Sequence, residues 1–126
     1  MKSFFVALIC LVALSTSAQT EVKAEDAKNH VGETVRVCTV IYGGRFIESD
    51  SLTLLNAGGA YPNQFLTIVI RGNARNEFNK PEEYYKGSHV CITGTITLYR
   101  DKPQIEVTAK DQIKEDIKDH TNQEPK

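Results

Sequence analysis

With 126 residues, 40% of them hydrophobic, and 15 basic side chains against 16 acidic ones, the chain carries a formal charge of -1. A chain of this length is expected to form one domain around one modest core, which excludes a multi-domain machine. The charge balance excludes the long-range basic field of a dedicated duplex binder, so a polyanion would have to be held by a local patch.

Lys2 precedes the apolar run FFVALICLVAL, and STSAQ follows it. A charged start, a short apolar core and a small-residue exit form the order that a secretory signal needs, so residues 1–18 are expected to be a signal peptide cleaved after Ala18. The run is short for a permanent membrane span and has no second of its kind, so no membrane insertion is expected after cleavage. Ile9 stands where lipobox signals carry a small residue, which argues against a lipid anchor on Cys10. The expected destination is secreted or periplasmic.

Residues 19–28 are polar with little periodicity and are expected to be a lead-in. The pattern then changes. VGETVRVCTVIY has alternating valines and ends at Gly43 and Gly44, which predicts a first strand closed by a glycine turn. A second strand, SLTLLN, is expected to point Leu52 and Leu54 inward, and a third, FLTIVIR, to point Leu66, Ile68 and Ile70 inward. Between them NAGGAYPNQ is turn chemistry.

After Arg71 the alternation stops, and a short helix is expected around NARNEF, with Phe78, Tyr84 and Tyr85 plugging the end of a sheet. SHVCITGTITLY is a fourth strand, with Val90, Ile92, Ile96 and Leu98 in phase and Gly94 at a bend. The turn YRDKP leads to a fifth, QIEVTA, with Ile105 and Val107 inward. A closing helix is expected over AKDQIKEDIK, because Ile113 and Ile117 lie one helical turn apart and Thr108 and Asp111 are spaced as a capping pair. The end of that helix and a disordered tail account for residues 114–126.

Cys38 and Cys91 both fall out of phase with neighbouring valines, so both turn toward the same type of face. A disulfide is one outcome. A metal site with His89 is the other, although it lacks a fourth ligand and any CxxC spacing. Three strands, a helical connection and a hairpin make an all-β, five-stranded OB-fold Greek-key barrel over residues 29–113, with short helices between strands three and four and at the C-terminus. In that barrel strands one and four are neighbours, which places the two cysteines together and favours the bridge.

The string KGSHVCITGTITLYRDKPQIEV resembles the last two strands of bacterial OB-fold nucleic-acid-binding domains, similar to those of the exonuclease VII large subunit, of the replicative polymerase alpha subunit and of some secreted nucleases. Asp101 stands where such domains often carry glycine. The resemblance implies single-stranded DNA or RNA as ligand, held on the outer side of strands two and three between two loops. Alternation then assigns Thr53 and Leu55 on strand two, Phe65, Thr67 and Arg71 on strand three, Arg45 and Phe46 in the first loop, and Tyr99, Arg100 and Lys102 in the second. Phe46 and Phe65 are the expected stacking platforms.

No nucleophile–base spacing, phosphate loop or histidine metal motif occurs, so no catalysis, cofactor or metal is expected. The partner would be a single strand, with a secreted nuclease nearby. Between Asn29 and Ile113 nine basic side chains meet nine acidic ones, and that neutrality supports an alternative: a periplasmic OB-fold protein that binds a small ligand or an envelope protein.

Overall fold

The structure, a computed structural model, describes residues 19–117; the expected signal peptide and the last part of the expected tail, residues 118–126, lie outside the described residues. Seven strands occur among the described residues: β1 Thr20–Glu21, β2 Thr34–Ile47, β3 Leu52–Ala57, β4 Leu66–Arg71, β5 His89–Tyr99, β6 Lys102–Val107 and β7 Ile113–Glu115. Five of them close a ring. β2 pairs with β3, β3 with β4, β4 with β6, β6 with β5, and β5 returns to β2. Only the β4–β6 pair in this ring is parallel, which is the topology of an OB barrel.

β2 can serve two neighbours because it bends. Its first half pairs with β5 through Val40, its second half pairs with β3 from Ile41, and the register shifts between Ile41 and Gly43. Gly43 sits at φ 138°, open to glycine and costly for a residue with a Cβ. β5 bends likewise, pairing with β2 up to Thr95 and with β6 from Ile96. Gly94 lies at that bend, where a Cβ would come 2.5 Å from Ile105 Cγ2.

The ring buries Val35, Val37, Ile41, Leu66, Ile68, Ile70, Val90, Ile92, Ile96, Ile105 and Val107, as the alternation predicts. Each such side chain contributes about 1.5–3 kcal/mol on leaving water. In β3 the phase is opposite to expectation. Thr53, Leu55 and Ala57 are buried while Leu52 and Leu54 are only partly so, because register with the bent β2 overrides an ambiguous run of leucines. Leu98 is also outside, 49% exposed, where β5 runs past the barrel into its hairpin.

Both ends of the barrel are covered. The expected lead-in is part of the fold: β1 pairs in parallel with β2, and a 3-10 helix over Ala24–Asn29 packs against β2, β4 and β6 with Val22, Ala24 and Ala27 buried. At the opposite end a 3-10 helix, Gly72–Glu77, leads to the single turn α1, Pro81–Tyr84. Phe78 and Tyr85 are buried there, ring edge to ring face at 6.1 Å, whereas Tyr84 is exposed and donates to Glu115 Oε1 at 2.8 Å.

The expected C-terminal helix is instead one 3-10 turn, Lys110–Gln112, followed by β7, which pairs antiparallel with β5. Gln112 decides this. Its Oε1 accepts from the Thr108 and Ala109 amides at 2.8 and 3.0 Å, and its Nε2 donates to the Thr93 carbonyl at 3.0 Å. Those bonds place Ile113 opposite Ile92 as a strand residue, and Ile117 is left 88% exposed rather than stacked on it.

Cys38 and Cys91 pair directly across β2 and β5 and form a disulfide. Neither sulfur is then a thiolate, the form a metal ligand requires, although Asp116 brings a carboxylate within 4.8 Å of both. A disulfide of this kind indicates an oxidising environment, extracellular or periplasmic. Among the described residues no helix is long and apolar enough to cross a membrane.

Candidate nucleic-acid interface

Register across β2, β3, β4 and β6 sorts the outer face into levels. At one end, Ile47, Leu52 and Arg71 stand in line. Arg45, Leu54, Val69 and Glu106 form the next level, in which Val69 is buried and offers no surface. A third runs Asn56, Thr67, Gln104 and, on β5, Thr97. At the far end Tyr99 faces Lys102 across the β5–β6 hairpin, and Phe65 stands just before β4.

Seven of the nine expected contact residues lie on or beside this face. Phe65 and Tyr99 are 48% and 57% exposed, and Lys102, Arg100, Arg45 and Arg71 are exposed. The Phe65 ring lies beside Gly58, where a Cβ would come 3.3 Å from its Cδ2. Thr67 accepts from Gln64 Nε2 at 3.2 Å. Arg71 Nε reaches Glu106 Oε1 at 3.4 Å, a solvent-exposed pair worth about 0.5 kcal/mol and easily exchanged for a phosphate.

The hairpin tip is strained. Arg100 and Asp101 sit at φ 50° and 63°, the positive values that a two-residue turn of the primed type demands and that glycine or asparagine usually supplies. That geometry brings the Arg100 guanidinium to 5.3 Å from the Tyr99 ring centroid. A cation and an aromatic plane are thus presented together, with Lys102 following on the strand.

Phe46 and Thr53 are the two corrections. Both belong to the barrel end capped by α1, and both are engaged by Arg75, whose guanidinium stacks on the Phe46 ring at 3.8 Å and donates to Thr53 Oγ1 at 2.7 Å. Arg75 also donates twice to Glu82 on α1, at 2.6 and 2.8 Å. The hydrogen bond from Arg75 holds the Glu82 carboxyl below its usual range, against the opposing effect of burial, and the same bond raises the Arg75 guanidinium. Phe46 is therefore roofed by a cation already committed to a carboxylate, and Thr53, fully buried, reaches no ligand. Leu55, assigned to the outer side, is buried in the core.

The structure adds residues that alternation missed. Asn56 and Gln104 enter the face once the phase of β3 is corrected and β6 is counted as part of the floor, and Tyr61 stands 75% exposed in the loop leading to Phe65. The reversed phase of β3 hid Asn56. Gln104 escapes because the inward Ile105 and Val107 alone define the strand pattern of β6.

No protein-family model matches the chain, and no curated protein matches it. Nine chains of solved structures match. One is a crystal structure identified as an aspartyl-tRNA synthetase from Leishmania major Friedlin, 11% identical with a TM-score of 0.50, the alignment covering 83% of this chain and 22% of that one. The protein thus spans about a fifth of the length of that structure, and the likeness shows an OB-like fold.

Proposed function

We propose that the protein is a non-catalytic binding module that holds single-stranded nucleic acid on the outer face of β3, β4 and β6 outside the cytoplasm. The observation that carries this reading is the cluster of Phe65, Tyr99, Arg100 and Lys102 at the hairpin end of that face, two exposed aromatic rings beside two exposed cations. A single strand needs this combination, since every base has a face to stack on and every phosphate attracts a cation; each stacked base is worth about 1–3 kcal/mol. Two stacking platforms therefore outweigh the modest charge of the barrel. The aspartyl-tRNA synthetase named among the structural matches takes its name from a polynucleotide, which agrees with the reading without carrying it.

Titration of labelled oligothymidine across a salt series tests this. Contacts from Arg45, Arg71, Arg100 and Lys102 predict a log–log salt slope of about -3, and the double change Arg100→Ala, Lys102→Ala is expected to flatten it by about 1.4. No binding of any oligonucleotide at low salt would refute the reading and leave a small ligand or an envelope protein as the occupant of the face.

A further inference from the structure

The sheet formed by the first halves of β2 and β5 together with β7 turns Val37, Ile92 and Ile113 into the core, so Cys38, Cys91 and Lys114 stand in line on its outer side. The two sulfurs and a carboxylate oxygen of Asp116, which follows β7, all lie within 4.8 Å of one another. Among the described residues no other set of three metal-ligating side chains comes as close.

Each donor is placed by backbone bonds rather than by the bridge. The β2–β5 ladder runs from Thr34 and Thr95 to Val40 and His89, on both sides of the cysteine pair, and the Asp116 amide donates to the His89 carbonyl at 2.9 Å. Breaking the sulfur–sulfur bond therefore leaves two thiols facing each other beside the carboxylate. Tetrahedral zinc, with bonds of about 2.3 Å to sulfur and about 2.1 Å to oxygen, sets its donors about 3.6–3.8 Å apart, a spacing that side-chain rotation supplies. Cys38 and Asp116 are partly exposed, and Cys91 lines an open groove with Arg36, Thr93 and Lys114, so an ion can enter and keep a water in its fourth position. Two thiolates and a carboxylate with a divalent ion leave one negative charge, which Lys114, directly across from Cys91, offsets. Arg36 adds little, being shared with Glu21 at 3.9 Å, and Asp111 lines the same groove.

We infer that the reduced pair Cys38 and Cys91, with Asp116, forms a redox-gated site for a thiophilic divalent cation, zinc being the ion these donors suit. A small dithiol opens the bridge: its own sulfurs become a disulfide, the Cys38–Cys91 bond takes up two electrons and two protons, and zinc then displaces the two thiol protons. Exchange with a disulfide oxidant re-forms the bridge, removes both thiolates and expels the ion. The site is separate from the proposed nucleic-acid face.

Titration of zinc into the reduced protein, in competition with a chromophoric chelator and without air, tests this. A single zinc ion per chain is expected for the reduced protein and none for the oxidised one, and a disulfide oxidant is expected to release the bound ion. Cadmium in place of zinc is expected to give the ultraviolet charge-transfer band of thiolate ligation, which binding to surface carboxylates does not produce. Asp116→Asn, isosteric and with the bridge left in place, is expected to weaken binding by about tenfold or more, since even groups that only orient a metal ligand are worth that much. Cys91→Ser is expected to abolish it. Zinc bound equally by the oxidised protein, none bound by the reduced protein, no charge-transfer band, or an affinity unmoved by Asp116→Asn overturns the inference. So does a reduced protein that loses its native circular dichroism and does not regain it with zinc, since the strand ladder would not then hold the donors.

Discussion

Arg75→Ala is expected to destabilise the protein by about 3 kcal/mol without altering affinity for a single strand. The guanidinium makes two charge-assisted bonds to Glu82, one bond to Thr53 and a stacking contact with Phe46. At about 1.5 kcal/mol for each charged bond and about 1 for each other contact, the gross loss is about 5 kcal/mol. Water returns part of it, because the Arg75 and Glu82 side chains keep 17% and 14% exposure and the abandoned carboxylate can be rehydrated. The net falls at the low end of the range for breaking a buried ion pair, and a domain of this size would melt about 15 °C lower. Thermal and urea unfolding followed by circular dichroism measure it, with Arg75→Met as a variant that retains the stacking volume.

The pair also sets an acid limit. Because the hydrogen bond from Arg75 holds the folded Glu82 carboxyl below its ordinary range, its contribution is fully present above the unfolded carboxyl's titration and is lost as pH falls through the lower folded value. The wild type should therefore lose stability in this range more steeply than Arg75→Met. A cost under 1 kcal/mol for Arg75→Ala, or parallel pH profiles for wild type and Arg75→Met, would show that the clamp is ornamental. Weakened nucleic-acid binding by either variant would show that Phe46 belongs to the interface after all.

Asp101→Gly is expected to stabilise the hairpin by about 1 kcal/mol, because glycine adopts positive φ without strain, and also to tighten binding by removing a negative charge beside Arg100 and Lys102; thermal melts and the same titrations check both. Changing Cys38 and Cys91 to Ser, which frees a separation of 53 residues, is expected to cost up to about 4 kcal/mol by chain entropy, read as a lower urea midpoint that reducing agent reproduces in the wild type.

Most of the barrel is legible in the chain because β4, β5 and β6 keep Leu66, Ile68, Ile70, Val90, Ile92, Ile96, Ile105 and Val107 at a period of two, even though Val69 and Cys91, out of that phase, are buried as well. β3 escapes this logic. Leucines at 52, 54 and 55 satisfy either phase, and the choice comes from a bulge in β2 and from Arg75, which lies 22 residues beyond Thr53. The C-terminal segment misleads for a related reason, since the four-residue spacing of Ile113 and Ile117 is helical but the vacant edge of β5 and the bonds of Gln112 outcompete it. The alanines at 24 and 27 are too small and too few to announce themselves as a plug. Of the interface, the hairpin cations and Phe65 are readable from position alone; the roof over Phe46 and the places of Asn56 and Gln104 depend on contacts between distant segments.

The link between Cys38 and Cys91 has a consequence for survival among proteases. The covalent loop it closes holds β3, β4 and both helical turns that lead to β5, together with the exposed Tyr61 loop where an enzyme would first cut. A single cleavage there would yield two peptides still tethered through sulfur, with the strand ladder of β3 and β4 intact on either side of the nick. The molecule could be clipped at this exposed loop and keep both halves of the proposed binding face in place.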